Sequence, residues 1–135
     1  RAFEQISATG KLKLFRSYRP EYADGEQKRD FIYVKDVAQM ILALMEHNAK
    51  GIYNIGSGRA ESWNALATAV FNALGKTPDI RYIDMPDTLK GKYQYFTKAD
   101  MTKFNALNTG RGAHPLEKTV ADYVRNHLLP ESREA

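Results

Sequence analysis

The sequence predicts an α/β fold, on two observations. Short runs rich in β-branched and aromatic residues alternate with amphipathic helical patterns, and most of these segments are bounded by glycine, proline or a capping residue. With 135 residues, 43% hydrophobic and 27% charged, the chain is long enough to build one core. The strands are few and short, so a complete doubly wound sheet does not fit.

The first ten residues read as the last turns of a helix stopped by Gly10. Because that helix is already under way at Arg1, a segment upstream is expected. Lys11 to Phe15 is a strand candidate, and the stretch from Arg16 to Arg29 is an exposed loop containing Pro20 and the Asp24-Gly25 turn pair. Phe31 to Val34 reads as a buried strand. Asp36 stands where an N-cap belongs, ahead of Val37, Ile41, Leu44 and Met45 at helical spacing, and Lys50-Gly51 closes that helix. Ile52 to Ile55 is the next strand. Ser62 caps a helix with Leu66, Val70, Phe71 and Leu74 on one face and Gly75 at its stop. Ile80 to Ile83 is a strand and Pro86 begins a loop. Thr97 with Asp100 three residues on resembles a capping box, and Pro115 introduces a last helix along Leu116, Val120, Val124 and Leu128.

Composition excludes some chemistry. There is no cysteine, hence no disulfide and no thiolate nucleophile, which fits a reducing cytoplasm. No apolar run approaches the roughly 18 residues of a membrane span. The net charge of +4 is modest. Its cations cluster at Lys11 to Arg29 and Lys90 to Lys103, which suits a phosphate-bearing ligand or simply a solvated face. His47, His114 and His127 lack metal-ligand spacing, so no metal site is predicted.

Two motifs invite a nucleotide-binding reading. In "YNIGSGRAES" a β-type run feeds Gly56 and Gly58 and then a helix, the order of a phosphate loop. The third glycine of a dinucleotide fingerprint is replaced by Glu61, whose charge would oppose a pyrophosphate at the helix N-terminus. A tight strand-to-helix turn is the better expectation. "GKT" at Gly75 to Thr77 follows a helix, and the earlier glycine of a P-loop would fall on Val70. A Tyr-x-x-x-Lys proton-transfer pair is also missing, since none of the eight tyrosines has lysine four positions later. No catalytic residue is therefore assigned. Arg29, at a loop-strand junction in "EQKRDFIYVKDVA", is placed either to clamp a phosphate or to pair with a nearby carboxylate, and spacing leaves both open.

Taken together, "RDFIYVKDVA", "GIYNIGSGRAES", "ADMTKFNAL" and "PLEKTVADYVRNHL" resemble the carboxyl-terminal half of extended short-chain dehydrogenases acting on nucleotide sugars, in the right order along nearly the whole chain. "GRAESW" and "PDTLKGKYQYFTKADMTK" look most like the branch that epimerises C6 of an ADP-linked heptose. The resemblance implies a small substrate-binding α/β lobe plus the last strand and helix of a Rossmann-type sheet. Residues 1–60 would link the substrate loop to that strand and 61–135 would form the lobe. It also implies an ADP-sugar substrate and oxidation and re-reduction at C6. NADP or NAD would be bound mainly by an amino-terminal Rossmann half missing here, as would the tyrosine–lysine pair, so this chain alone would be inactive. Homo-oligomers in the cytoplasm, serving lipopolysaccharide synthesis without nucleic acid or membrane partners, are the family pattern. Substrate contacts carried over by position fall on Phe15, Arg16, Ser17 and Tyr18, on Arg29 and on Tyr93. Some relatives read Glu-Gly-Ser after the Phe15 position, where this chain has Arg16-Ser17-Tyr18 and a longer loop. Other branches, hexose 4-epimerases or 4,6-dehydratases, and a stand-alone non-catalytic nucleotide-binding module are the alternatives.

Overall fold

The computed structural model describes residues 1–134; Ala135, the end of the expected second segment, lies outside them. Helix α1 (Ala2–Thr9) stops at Gly10, whose φ of 70° is the left-handed conformation glycine adopts without strain. Strand β1 (Leu12–Phe15) follows and runs parallel to β4 (Ile80–Ile83), in register from Leu12 opposite Ile80 to Phe15 opposite Ile83. The crossover between them contains α2 (Val34–Glu46) and α3 (Trp63–Ala73). Two-residue strands β2 (Lys28–Arg29) and β3 (Glu61–Ser62) pair antiparallel. Beyond β4 lie the short helices α4 (Asp87–Lys90) and α5 (Thr102–Asn105), then α6 (Leu116–Tyr123), which continues through a π-helical turn (Val124–Leu128) into α7 (Leu129–Glu134).

Two apolar clusters hold these elements. In the larger, Ala67, Val70 and Phe71 of α3 meet Ile6 of α1, Leu12 of β1 and Val124 of the π turn. Phe71 is fully buried, a contribution on the order of 2–3 kcal/mol. Ser62 is the N-cap expected of it, its hydroxyl accepting the Ala65 amide proton at 3.1 Å. The smaller cluster packs Met40 and Ala43 of α2 against Met101 and Phe104 of the α5 segment. The outer side of α2 leaves Val34, Ile41, Leu42 and Met45 exposed, and Ile52 beyond it is 89% exposed.

Four local expectations are corrected. Phe31 to Tyr33 joins no ladder, and Val34 is already helical; the extended backbone of Tyr33 makes it the N-cap of α2. Asp36 falls in the first turn instead, where its charge still suits the helix dipole, and its buried carboxylate accepts from the backbone amide of His114 at 2.9 Å and meets the ring Nδ1 at 2.7 Å. Ile52 to Ile55 also forms no ladder, because no strand lies beside it among the described residues. Thr97 opens no helix: its hydroxyl accepts the Asp30 amide proton at 3.1 Å, while Asp100 accepts that of Thr102 at 2.9 Å and starts α5 there.

Between the clusters, Asp30 acts as a joint. Its carboxylate accepts backbone amide protons from Ser57 (2.6 Å), Gly58 (3.0 Å) and Ala99 (2.8 Å), tying the end of β2 to the glycine turn and to the segment before α5. Gly56 makes this approach possible, because a Cβ there would stand 2.4 Å from the Ala99 Cβ and 3.0 Å from Asp30 Oδ2. Alanine has no rotamer by which to yield, so the backbone itself would have to move. Gly56→Ala is accordingly expected to cost about 2–3 kcal/mol of stability, read as a lower urea midpoint with the m-value retained.

Candidate substrate-binding site

The site forms where the carboxyl end of β1, strand β2 and the segment around Tyr93 and Tyr95 converge. Backbone pairing sets this up: Lys28 N donates to Tyr95 O at 2.8 Å and Thr97 N to Lys28 O at 3.2 Å, a parallel bridge that brings Tyr93 beside Arg29. The Arg29 guanidinium carbon lies 5.2 Å from the centre of the Tyr93 ring, and Nη1 donates to Lys28 O at 3.0 Å. Among the described residues no carboxylate lies within 4.0 Å of Arg29. Phe15 meets Tyr93 edge-on at 6.4 Å, and Tyr93 meets Tyr95 edge-on at 5.4 Å. Burial pushes the Tyr93 phenol above its ordinary pKa, against the opposing charge of Arg29 and the nearby Trp63. The phenol therefore stays protonated at neutral pH and can donate. Trp63 Nε1 is buried and makes no hydrogen bond of proper geometry.

The residues after Phe15 stand close by but are already engaged. Arg16 lies 3.4 Å from Asp24 Oδ2 and 3.8 Å from Asp84 Oδ1. Ser17 N donates to Asp24 Oδ1 at 2.8 Å and its hydroxyl to Arg19 O at 3.0 Å. The Tyr18 amide donates to the Tyr95 hydroxyl at 3.0 Å and its own hydroxyl to Asp84 at 2.9 Å. Phe15 and Arg29 thus each meet Tyr93 and Tyr18 meets Tyr95, whereas Arg16 and Ser17 are bonded within the loop and to Asp24 and Asp84. Gln27, buried, was not singled out from sequence; its amide nitrogen donates to the carbonyls of Phe15 (3.3 Å) and Arg16 (3.2 Å) and so fixes the path of that loop. A polar residue in an exposed-looking loop carries no periodic signal that would reveal this.

Beside the aromatic group opens an apolar cavity of about 470 Å³, with Leu12, Leu14, Phe15, Trp63, Leu66 and Tyr93 in its wall. The glycine turn at Gly56–Gly58 offers nothing comparable for a cofactor pyrophosphate. The amides of Ser57 and Gly58, which an anion would need, already serve Asp30. The turn is an anion nest, and its anion comes from the chain itself. Among the described residues no cluster of three or more acids and histidines could hold a metal, and no helix is long and apolar enough to cross a membrane.

Residues 2–56 match the NAD dependent epimerase/dehydratase family. Over those residues the chain is similar to that family. It is 46% identical over 129 residues to the ADP-L-glycero-D-manno-heptose-6-epimerase of Nitratidesulfovibrio vulgaris (strain DP4), an alignment covering 95% of this chain and 40% of that protein. Among solved structures it is similar to the Helicobacter pylori ADP-L-glycero-D-manno-heptose-6-epimerase, with 27% identity and a TM-score of 0.70 over 99% of this chain and 36% of that one. The UDP-glucose-4-epimerase of Stenotrophomonas maltophila, solved with bound NAD and formylated UDP-arabinopyranose, superposes with a TM-score of 0.77 at 23% identity, covering 99% of this chain and 39% of that one. That likeness shows the fold. The chain spans about 40% of the length of the curated relatives it matches.

Proposed function

We propose that this chain is the substrate-binding part of a nucleotide-sugar epimerase acting at C6 of an ADP-linked heptose. The observation that carries the reading is Arg29: a half-buried guanidinium with no carboxylate partner among the described residues, stacked on Tyr93 beside Phe15 at the carboxyl end of a parallel strand. Ligands of α/β folds gather at that end of the strands, and an unneutralised guanidinium is suited to a diphosphate. The neutral Tyr93 phenol adds a donor. The apolar cavity behind Phe15 and Tyr93 has the character of a nucleobase site, with Gln5 and Lys13 as polar groups on its wall.

In this reading residues 1–60 and 61–135 serve as linking segment and lobe. NADP or NAD is held mainly by an amino-terminal Rossmann half outside the sequence, because the glycine turn at Gly56–Gly58 already serves Asp30. This chain alone is then inactive, and the whole works as a cytoplasmic homo-oligomer. The exposed apolar side of α2 supports such a complement, since it is a surface another structural layer would cover. The test is nucleotide preference. Equilibrium titration of the intact protein is expected to show ADP binding about tenfold or more tighter than UDP or dTDP, together with C6 epimerisation of the ADP-heptose. Tighter binding of UDP or dTDP would move the chain to a hexose 4-epimerase or dehydratase.

A further inference from the structure

The loop between β1 and β2 brings a second guanidinium to the same aromatic pair. Arg19 stands with its guanidinium carbon 4.6 Å from the centre of the Tyr95 ring. Tyr95 is buried and meets Tyr93, which carries Arg29. The two cations therefore rest on one edge-to-face pair of rings. Among the described residues neither has a carboxylate within 4.0 Å, whereas Arg16 on the same loop has two. Those two acids are committed elsewhere: Asp24 also takes the Ser17 amide and Asp84 the Tyr18 hydroxyl.

The loop that presents Arg19 is held firmly. The Tyr18 amide is bonded to the Tyr95 hydroxyl, the Gln27 amide to the Phe15 and Arg16 carbonyls, and Asn64 Nδ2 to Asp24 O at 3.0 Å. Gly25, at φ 75°, lets Asn64 close against it, for a Cβ there would stand 2.0 Å from Asn64 Oδ1. Much of the ordering that a ligand would otherwise impose is thus already present. With its guanidinium over the Tyr95 ring and no side-chain hydrogen bond among the described residues, Arg19 keeps N–H groups free to donate.

We propose that Arg19 is a second contact to the diphosphate of the nucleotide sugar, acting with Arg29 across the Tyr93–Tyr95 pair; this rests on the nucleotide-sugar reading above. A diphosphate spreads its charge over two phosphoryl groups, and two guanidiniums on a rigid aromatic support match that spread better than one. The loop between β1 and β2 is then a device for delivering this second cation.

The experiment titrates the intact protein with ADP at two salt concentrations, as wild type, Arg19→Gln and Arg29→Ala, with the unfolding midpoint of each. Arg19→Gln keeps the stem and removes the charge. It is expected to weaken ADP binding roughly tenfold, to flatten its salt dependence and to leave the unfolding midpoint where it was. Unchanged ADP affinity in Arg19→Gln, with weakened binding in Arg29→Ala, overturns the role of Arg19 and leaves the substrate reading standing. A lowered midpoint accompanying the loss overturns it as well, by making Arg19 a structural residue. Failure of the wild type to bind ADP overturns both.

Discussion

Asp30→Ala is expected to lower stability by about 3 kcal/mol, among the largest single effects a charged residue of this chain can produce. The substitution orphans the amides of Ser57, Gly58 and Ala99 together, and each partly buried donor left without an acceptor costs about 1–3 kcal/mol, offset in part by water entering the gap. Asp30→Asn keeps one acceptor oxygen but turns an NH₂ group toward a donor, so a loss of about 2 kcal/mol is expected. The acid dependence has a definite sign. Burial raises the Asp30 pKa, but the hydrogen bonds from Ala99, Ser57 and Gly58 together outweigh it and hold the carboxyl below its ordinary value. A depressed folded-state pKa contributes stability above the unfolded value of about 3.9 and loses it as pH falls through the folded one. The stability gap between wild type and Asp30→Asn, read from urea midpoints, should therefore be constant from neutral pH down to about 5 and close below about 4. Asp122, whose pKa is lowered chiefly by Lys35 and then by Tyr33 and Asn126, titrates alike in both proteins and cancels from the difference. A gap that persists undiminished at low pH would show that the ionised carboxylate is not what the nest holds.

This joint also shows where the sequence stops being legible. Two local signals were readable, since Ser62 reaches an amide three residues on and Gly10 closes the helix it follows, whereas Asp36 and Thr97 are not the caps expected and α2 ends at His47, before Lys50-Gly51. The amphipathic faces of α3 and α6 and the apolar β1 and β4 were readable for the same reason. Phe31–Val34 and Ile52–Ile55 have the composition of strands, but a strand exists only with a neighbour, and a composition does not name one. The glycine turn carried a phosphate-loop pattern, yet the anion it receives sits 27 and 28 residues upstream. That assignment required knowing that β2 ends beside the turn. Arg29 posed the same problem. Its choice between ion pair and ligand depended on what the Lys28–Phe96 bridge places over it, and that partner lies more than sixty residues away. The family resemblance named Tyr93 at that position; the backbone pairing supplies the physical reason the two residues meet.

Arg29→Ala is expected to reduce the affinity of the intact protein for an ADP-sugar about 100-fold, while leaving stability within about 0.5 kcal/mol of wild type. The two halves of this expectation have separate causes. In the folded chain the guanidinium makes one hydrogen bond, to the Lys28 carbonyl, and one stacking contact on Tyr93. Water can replace the first at little cost. Toward a diphosphate it would supply a bidentate, charge-assisted pair in a half-buried setting, about 3 kcal/mol in all. Arg29→Lys should recover only part of the loss, because an ammonium neither forks across two oxygens nor stacks as a plane on Tyr93. Steady-state kinetics should place most of the effect in KM, since in the proposed site the residue would grip the nucleotide end, away from the reacting carbon. Were Arg29→Ala to bind ADP normally yet unfold several kcal/mol more easily, Arg29 would be a structural residue, and the site would have to be sought elsewhere on the chain.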